Sequence, residues 1–151
     1  MQENMAIQRR LGGMISYTEF LTLLAQIFGK TGRIEEGLAA MAEAMQLTAQ
    51  MSEGVIEAET HRVKGELLLK TGAEGAAREA EACFQRAMEI ARRQHGKSWE
   101  LRAATSLARL WQAQGRREEA RALLTGTYGW FTEGFDTADL IEARALLESL
   151  G

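Results

Sequence analysis

The sequence contains no proline and only one cysteine, and both absences limit the structures that it can form. Without proline, no position loses a backbone donor, so helices can continue until glycine or a capping residue ends them. The single cysteine, Cys83, cannot form a disulfide within the chain, which is typical of proteins in a reducing compartment. We therefore expect uninterrupted helices and a cytoplasmic location.

An excess of basic charge and long apolar runs are also missing. The 18 Lys and Arg residues stand against 21 Asp and Glu residues, which gives a net charge of −3. General nucleic-acid binders neutralise phosphates with basic side chains, so this balance argues against that class. No window approaches the ~18 uninterrupted apolar residues of a membrane helix, and the N-terminal residues do not resemble a signal peptide. We expect neither nucleic acid nor membrane as a partner.

Residue types that carry catalysis or bind metals are few. The two histidines, His61 and His95, have no Cys, Asp, Glu or His at the spacing of a metal site. Cys83 lies beside Phe84 in a strongly periodic segment, where a buried and inert thiol is favoured over a nucleophile. No glycine-rich stretch matches the phosphate-binding loop. The sequence predicts no enzyme, no cofactor and no metal, and leaves His61 with either a structural or a groove role.

The residues that are present favour helix almost everywhere. Ala, Leu, Glu, Arg and Met are abundant, and segments such as "LRAATSLARLWQAQ" repeat their apolar residues at intervals of three and four. Ser16 with Glu19 forms a potential capping box, Ser98 can cap the fifth helix, and Asp136 or Thr137 can cap the last. The pattern predicts seven helices, near residues 16–29, 33–51, 55–71, 76–95, 98–114, 116–131 and 137–149.

The helices form pairs, and the pairs resemble one another. The stretch "AQIFGKTGRIEEGLAAMAEAM" aligns with "GELLLKTGAEGAAREAEACFQRAM", which has three more residues in its turn, and with "ARLWQAQGRREEARALLTGTY". Small residues allow helices to cross closely, and bulky ones fill the space between them. The small residues that recur are Ala25, Gly65 and Ala108 in first helices, Gly32, Gly72 and Gly115 in turns, and Gly37, Ala80 and Ala120 in second helices. The bulky ones are Phe28, Leu68 and Trp111, then Met41, Phe84 and Leu124.

Within each pair these positions resemble the tetratricopeptide repeat, whose pattern is L-G/A-x-x-Y…G…A-x-x-x-F-x-x-A. The first pair matches at Leu24, Ala25, Phe28, Gly32, Gly37, Met41 and Ala44, and the third at Leu107, Ala108, Trp111, Gly115, Ala120 and Leu124. The second departs from it at Lys64 and by an insertion near residues 73–77. The turn glycines are also further apart than the usual ~34 residues, which indicates longer helices.

This resemblance implies an all-α solenoid of three helix pairs and a C-terminal capping helix. The pairs would cover residues 16–135 and the capping helix residues 136–151. Residues 1–15 would be a linker or the remnant of a preceding repeat.

A narrower resemblance comes from the ending "YGWFTEGFDTADL", together with the helical segments before it. These residues are similar to the C-terminal end of large bacterial signalling proteins, in which a nucleotide cyclase domain and a P-loop ATPase domain precede a tetratricopeptide array. The family's catalytic motifs lie upstream of the part that matches, so no functional residue carries over. The resemblance implies a sensor or scaffold segment.

The two ends of the array carry apolar residues with different expected roles. At the C-terminus we expect Trp130, Phe131 and Phe135 to anchor the final helix on the third pair. At the N-terminus the first pair presents an apolar edge that a short preceding segment covers only in part. This edge predicts a two-fold homodimer through the N-terminal end. Its apolar residues are Tyr17, Phe20, Leu21, Leu24 and Phe28.

In tetratricopeptide arrays the first helices of the pairs line a concave groove. Arg102 and Arg109 are seven residues apart and share one helix stripe, which predicts a basic end able to bind a carboxylate or phosphate. Two functions remain: a sensor or interaction module that binds a peptide, a protein or a neighbouring domain, and a purely structural spacer. The groove positions predicted to be exposed are Glu19, Thr22, Gln26, Glu59, Arg62, Glu66, Arg102, Thr105 and Arg109.

Overall fold

The computed structural model describes residues 2–50 and 56–151, and every regular element in these two ranges is an α-helix. The predicted all-α class is therefore confirmed, while the helix boundaries predicted at 51 and 55 lie outside the described residues. None of the described helices combines the length and the apolar content needed to cross a bilayer. The helices are α1 (Gln2–Lys30), α2 (Ile34–Gln50), α3 (Glu57–Thr71), α4 (Ala76–Arg93), α5 (Lys97–Ala113), α6 (Arg117–Tyr128) and α7 (Ala138–Leu150).

The first helix is longer than the sequence predicted. It runs without a break from Gln2 to Lys30, so the predicted start near residue 16 is wrong, and Ser16 lies in the helix interior instead of a capping box. Two adjacent glycines, Gly12 and Gly13, suggested the boundary. A glycine costs only about 1 kcal/mol in a helix relative to alanine, and good helix formers flank this pair. The division at residue 15 is therefore not a boundary between secondary structure elements.

The described helices stack in chain order and form two layers. Each helix contacts the next one along the chain, and the odd-numbered helices also contact one another in the series α1, α3, α5 and α7. The even-numbered helices contact only odd-numbered ones. We call the odd-numbered series the inner layer. Helix α7 therefore does more than close the end of the stack, because it extends the inner layer beyond α5.

The three turns that align in the sequence share one backbone conformation. Gly32, Gly72 and Gly115 have φ angles of 82°, 64° and 80°, in the left-handed region. A side chain at these positions would collide with the backbone, whereas glycine has no such penalty. A left-handed glycine therefore follows the first helix of each pair.

The small residues lie where the two helices of a pair cross. A Cβ atom on Gly37 would lie 3.2 Å from the carbonyl oxygen of Ala25, and one on Gly65 would lie 2.6 Å from Cε1 of Phe84. The bulky residue of each second helix, which is Phe84 in the second pair, is fully buried beside this crossing. Its equivalents in the first and third pairs are Met41 and Leu124. The second pair thus keeps the common packing despite its longer turn.

The first and third turns share a contact that the sequence analysis missed. The Arg33 guanidinium lies 4.7 Å from the centre of the Phe28 ring, and that of Arg116 lies 4.5 Å from the centre of the Trp111 ring. In both turns the arginine amide donates to the carbonyl of the aromatic residue at 2.8 Å. Each arginine also pairs with the glutamate three residues later, Glu36 or Glu119. This arginine is thus a second feature that the first and third pairs share, and the longer turn of the second pair has no equivalent.

The predicted helix caps are only partly correct. The backbone of Thr137 is extended at the N-cap position of α7, as expected, but its side chain makes no capping hydrogen bond. Ser98 is not a cap, because α5 already begins at Lys97 and its N-cap residue is Gly96. The amide of Glu100 donates to the carbonyl of Gly96, so the first helical bond forms before Ser98 could act.

The aromatic residues before α7 contribute less to its packing than predicted. Trp130 and Phe135 are 58% and 45% exposed, and only Phe131 packs against the core. The rings of Trp130 and Phe131 are nearly perpendicular with their centres 5.2 Å apart, and the ring centre of Phe135 lies 5.8 Å from that of Tyr128. Helix α7 is held instead by its aliphatic residues. Those buried against the core are Leu140, Ala143, Leu146 and Leu150.

Replacing Gly65 tests the close crossing in the second pair. Because even a Cβ atom at this position would overlap the Phe84 ring, we expect Gly65→Leu to lower the free energy of unfolding by about 1–3 kcal/mol. Chemical denaturation would measure it. Gly126→Leu is the matched control, because Gly126 lies in helix α6 with no atom within 4 Å of its added Cβ. Equal midpoints for the two variants would contradict the crossing described above.

A second prediction concerns the attachment of helix α7. Truncation after Thr127 should expose the apolar side of α5 and α6, so the fragment should melt earlier or aggregate. The point substitution Leu140→Ala should cost about 2–5 kcal/mol because it leaves a cavity in the core. Trp130→Ala should change stability by no more than about 0.5 kcal/mol, since this side chain is mostly exposed. A larger loss for Trp130→Ala than for Leu140→Ala, measured by thermal denaturation, would restore the aromatic residues as anchors.

Candidate functional site

The inner layer contains a cavity of about 390 Å³ to which all four of its helices contribute. We call this cavity the inner groove. It is lined mainly by charged and polar side chains, because the four helices bury their apolar residues against the second layer. The lining includes Gln26, Arg62, Glu66, Arg102, Thr105 and Arg109, all predicted as groove residues. It also includes Lys30, Lys70, Ser106, Asp139 and Glu142, which were not.

Three positions that the sequence assigned to the groove do not line it. Glu19 is exposed on α1 outside the cavity, whereas Thr22 and Glu59 are buried. The predicted exposure of Thr22, Glu59 and Thr105 is wrong. The hydroxyls of Thr22 and Thr105 donate to carbonyls four residues earlier in their own helices, at 2.9 and 2.8 Å. With this bond satisfied, threonine can occupy a contact between helices.

Glu59 is the buried centre of the site. It is only 4% exposed, yet each of its carboxylate oxygens accepts a bond from Arg62, at 2.6 and 2.9 Å. Arg102 approaches the same carboxylate to 3.1 Å, and the amide of Gln26 donates to it at 3.5 Å. Such a charge can be buried because guanidinium groups match a carboxylate in charge and geometry. Glu59 thereby joins α1, α3 and α5.

The network of charges continues from α5 to α7. Nε of Arg102 lies 3.3 Å from the Asp139 carboxylate, and Arg109 lies 3.4 Å from Glu142. The predicted basic end is therefore paired with acidic residues of the same chain. Sequence reasoning missed these partners because it treated α7 only as a cap. A signal was available, since Asp139 and Glu142 are three residues apart and share one helix face.

Arg62 and the partly buried Asp139 also lie at the floor of the groove. Arg62 donates to Ser106 at 3.4 Å and lies 3.7 Å from Glu66. Burial raises the pKa of Asp139, and the adjacent positive charge of Arg102 only partly offsets this effect. The same carboxylate is also repelled by Glu59. The positive and negative charges at the floor of the groove are thus nearly balanced. Glu66 and the lining residues nearer the rim remain more accessible to solvent.

The other chemically notable side chains lie outside the inner groove. Burial, together with the charges of Arg86 and Lys64, lowers the pKa of His61 to about 4, so this histidine is neutral at pH 7. Burial also raises the pKa of the Cys83 thiol, which therefore stays protonated at neutral pH. Among the described residues, no three His, Cys, Asp or Glu side chains are grouped as metal ligands. The groove presents groups suited to noncovalent recognition of a charged ligand.

Comparison with known proteins assigns no family: no protein-family model matches the chain, and no curated protein sequence matches it. The resemblances to tetratricopeptide repeats and to bacterial signalling proteins thus depend on the residues quoted above.

Removing the charge of Glu59 tests the network. In Glu59→Gln the guanidinium groups of Arg62 and Arg102 lose their shared carboxylate, so the free energy of unfolding should fall by about 3 kcal/mol or more. Glu142→Gln is the matched control, because its ion pair with Arg109 is exposed and such pairs contribute about 0–1 kcal/mol. Urea denaturation would measure both. Equal effects of the two substitutions would mean that Glu59 does not organise the inner layer.

Proposed function

We propose that this chain is a tetratricopeptide-like, noncatalytic interaction module, and that its inner groove binds a peptide, a protein segment or a neighbouring domain. The observation that carries the proposal is the inner groove itself, an open cavity built by all four helices of one layer. A cavity that many helices build together can hold an extended segment across several repeats. The sequence resemblance adds a context, a regulatory or sensor segment of a cytoplasmic bacterial signalling protein.

The repeat assignment is supported by positions that recur in all three pairs. The turn glycines share a left-handed conformation. Recurring small positions of the second and first helices, represented by Gly37 and Gly65, lie at close helix crossings. Fully buried bulky residues occupy matching places in the second helices. A tetratricopeptide-like array needs these features, because each helix pair buries its apolar faces only against its neighbours.

The charge of the groove favours an acidic ligand. Five cationic and three acidic side chains line the cavity, and Glu59 beneath them is a fourth acid. Arg62 and Arg102 are already committed to Glu59, which leaves the cations nearer the rim for a ligand. Of these, Arg109 is about half exposed and makes only one long ion pair. An acidic side chain of the partner can therefore replace Glu142 at Arg109 without disturbing the buried floor.

A structural spacer is the second candidate, and the ion network favours it specifically. The sequence placed Arg102 and Arg109 on one stripe and predicted a basic end able to bind a carboxylate or phosphate. Both arginines have acidic partners on α7, however, so they can serve the fold alone. A network that joins all four inner helices would stiffen the array. The two functions therefore differ in whether the accessible groove charges bind a ligand.

Reversing the charge of Arg109 tests the binding proposal. Arg102 stays unchanged in this test, because its reversal would place a third carboxylate beside Glu59 and Asp139 and would disturb the fold. The probe is a fluorescein-labelled oligoglutamate peptide, measured by fluorescence anisotropy at physiological ionic strength. We expect Arg109→Glu to weaken binding about tenfold or more, which corresponds to about 1.4 kcal/mol.

The matched control is Arg78→Glu, which changes the net charge equally at an exposed position of α4 outside the groove. It should leave the affinity within about twofold, because exposed charges further apart than about 8 Å are largely screened at physiological salt. Equal loss in both variants would indicate attraction by net charge alone. If the wild-type protein does not bind the oligoglutamate peptide, the result favours the structural spacer.

A further inference from the structure

Helix α1 carries an apolar face that no other part of the described chain covers. Tyr17, Phe20, Leu23 and Ile27 are between 45% and 60% exposed, and their spacing of three and four places them on one side of the helix. The opposite side, which includes the buried Leu21, packs into the core of the first pair. We call these four exposed residues the α1 face.

The α1 face is concentrated and ordered. It supplies four of the seven large hydrophobic residues that are exposed in the described part of the chain. The rings of Tyr17 and Phe20 stack with their centres 6.4 Å apart, and the Tyr17 hydroxyl donates to Glu43 on α2 at 2.9 Å. Apolar side chains held together in water in this way are typical of an interaction surface.

Two unlike charges lie on one flank of this face. Glu19 and Lys30 are eleven residues apart, which is close to three full turns, so they project in nearly the same direction. Both are exposed, and neither enters an ion pair with another described residue. Their order along the helix is acidic first and basic last. An antiparallel copy of the same helix presents the reverse order.

We propose that the α1 face binds a second copy of this chain, with the two α1 helices antiparallel about a two-fold axis near Leu24. This axis places Glu19 of each copy within one residue, or about 1.5 Å along the helix, of the level of Lys30 of the other, so that two ion pairs form on one flank. It also places Phe20 of each copy within one residue of the level of Ile27 of the other. The same surface thus serves both copies, as a two-fold interface requires.

A parallel arrangement does not use these charges. The flanks of the two copies would then lie on opposite sides of the interface, so Glu19 and Lys30 of one copy would not meet those of the other. Only the antiparallel pairing therefore both buries the α1 face and pairs the charges on its flank. It also brings the inner layers of the two copies side by side, because Lys30 lines the inner groove as well.

The oligomeric state is the first test. Size exclusion with light scattering across a dilution series should show a dimer that dissociates at low concentration. Phe20→Glu should give a monomer at every concentration while circular dichroism retains the helical spectrum. A wild-type monomer at high micromolar concentration would overturn the proposal and leave the α1 face to another chain or to a preceding repeat. A dimer that Phe20→Glu does not affect would overturn it too.

Exchanging the two charges tests the antiparallel geometry. Glu19→Lys and Lys30→Glu should each weaken the dimer about tenfold, because each turns two attractive contacts into repulsive ones. The double variant Glu19→Lys/Lys30→Glu restores opposite charges across the two-fold axis, so its dissociation constant should return to within about threefold of wild type. If the double variant is as weak as the single ones, or if the single variants have no effect, the proposed pairing is wrong.

Discussion

The inner layer depends on one buried carboxylate. Glu59 has almost no access to water that could stabilise its charge, so Arg62 and Arg102 stabilise it from two helices. Arg102 in turn approaches Asp139, and the position of α7 follows from this contact as well as from its buried leucines. Removing one partner from such a network costs more than the pair contributes in isolation, because the others remain buried and unpaired. Arg62, Arg102 and Asp139, held by this network, line the inner groove.

Much of the fold could be read from the sequence because its signals are local. The left-handed turn glycines, including Gly115, and the tight crossing at Gly65 depend on residues within one helix pair. A pattern of small and bulky residues records such packing directly. The N-terminal boundary was wrong for a related reason, because Gly12 and Gly13 weaken a helix locally without ending it. A glycine ends a helix here only where the chain also turns.

The candidate site was harder to predict because its contacts join distant parts of the chain. The stripe of Arg102 and Arg109 was correctly placed on the inner layer, but its partners on α7 depend on how α5 and α7 stack. Glu59 looked like a surface residue by type, and only the arrival of arginines from two helices explains its burial. The sequence therefore predicted six of the nine groove positions correctly, but not which of them remain available to a ligand.

The groove and the α1 face meet at Lys30, and this shared residue links the two proposals without making them equivalent. If Lys30 pairs with Glu19 of a second copy, the groove loses one accessible cation, and recognition of an acidic segment then relies more on Arg109. Arg109 lies on α5, whereas the α1 face lies entirely on α1, so either surface can be removed while the other is kept. Two binding events that compete for one lysine should weaken each other, and the coupling must be equal in both directions. Dimerisation would then reduce the affinity of the groove for acidic ligands by the same factor by which those ligands weaken the dimer.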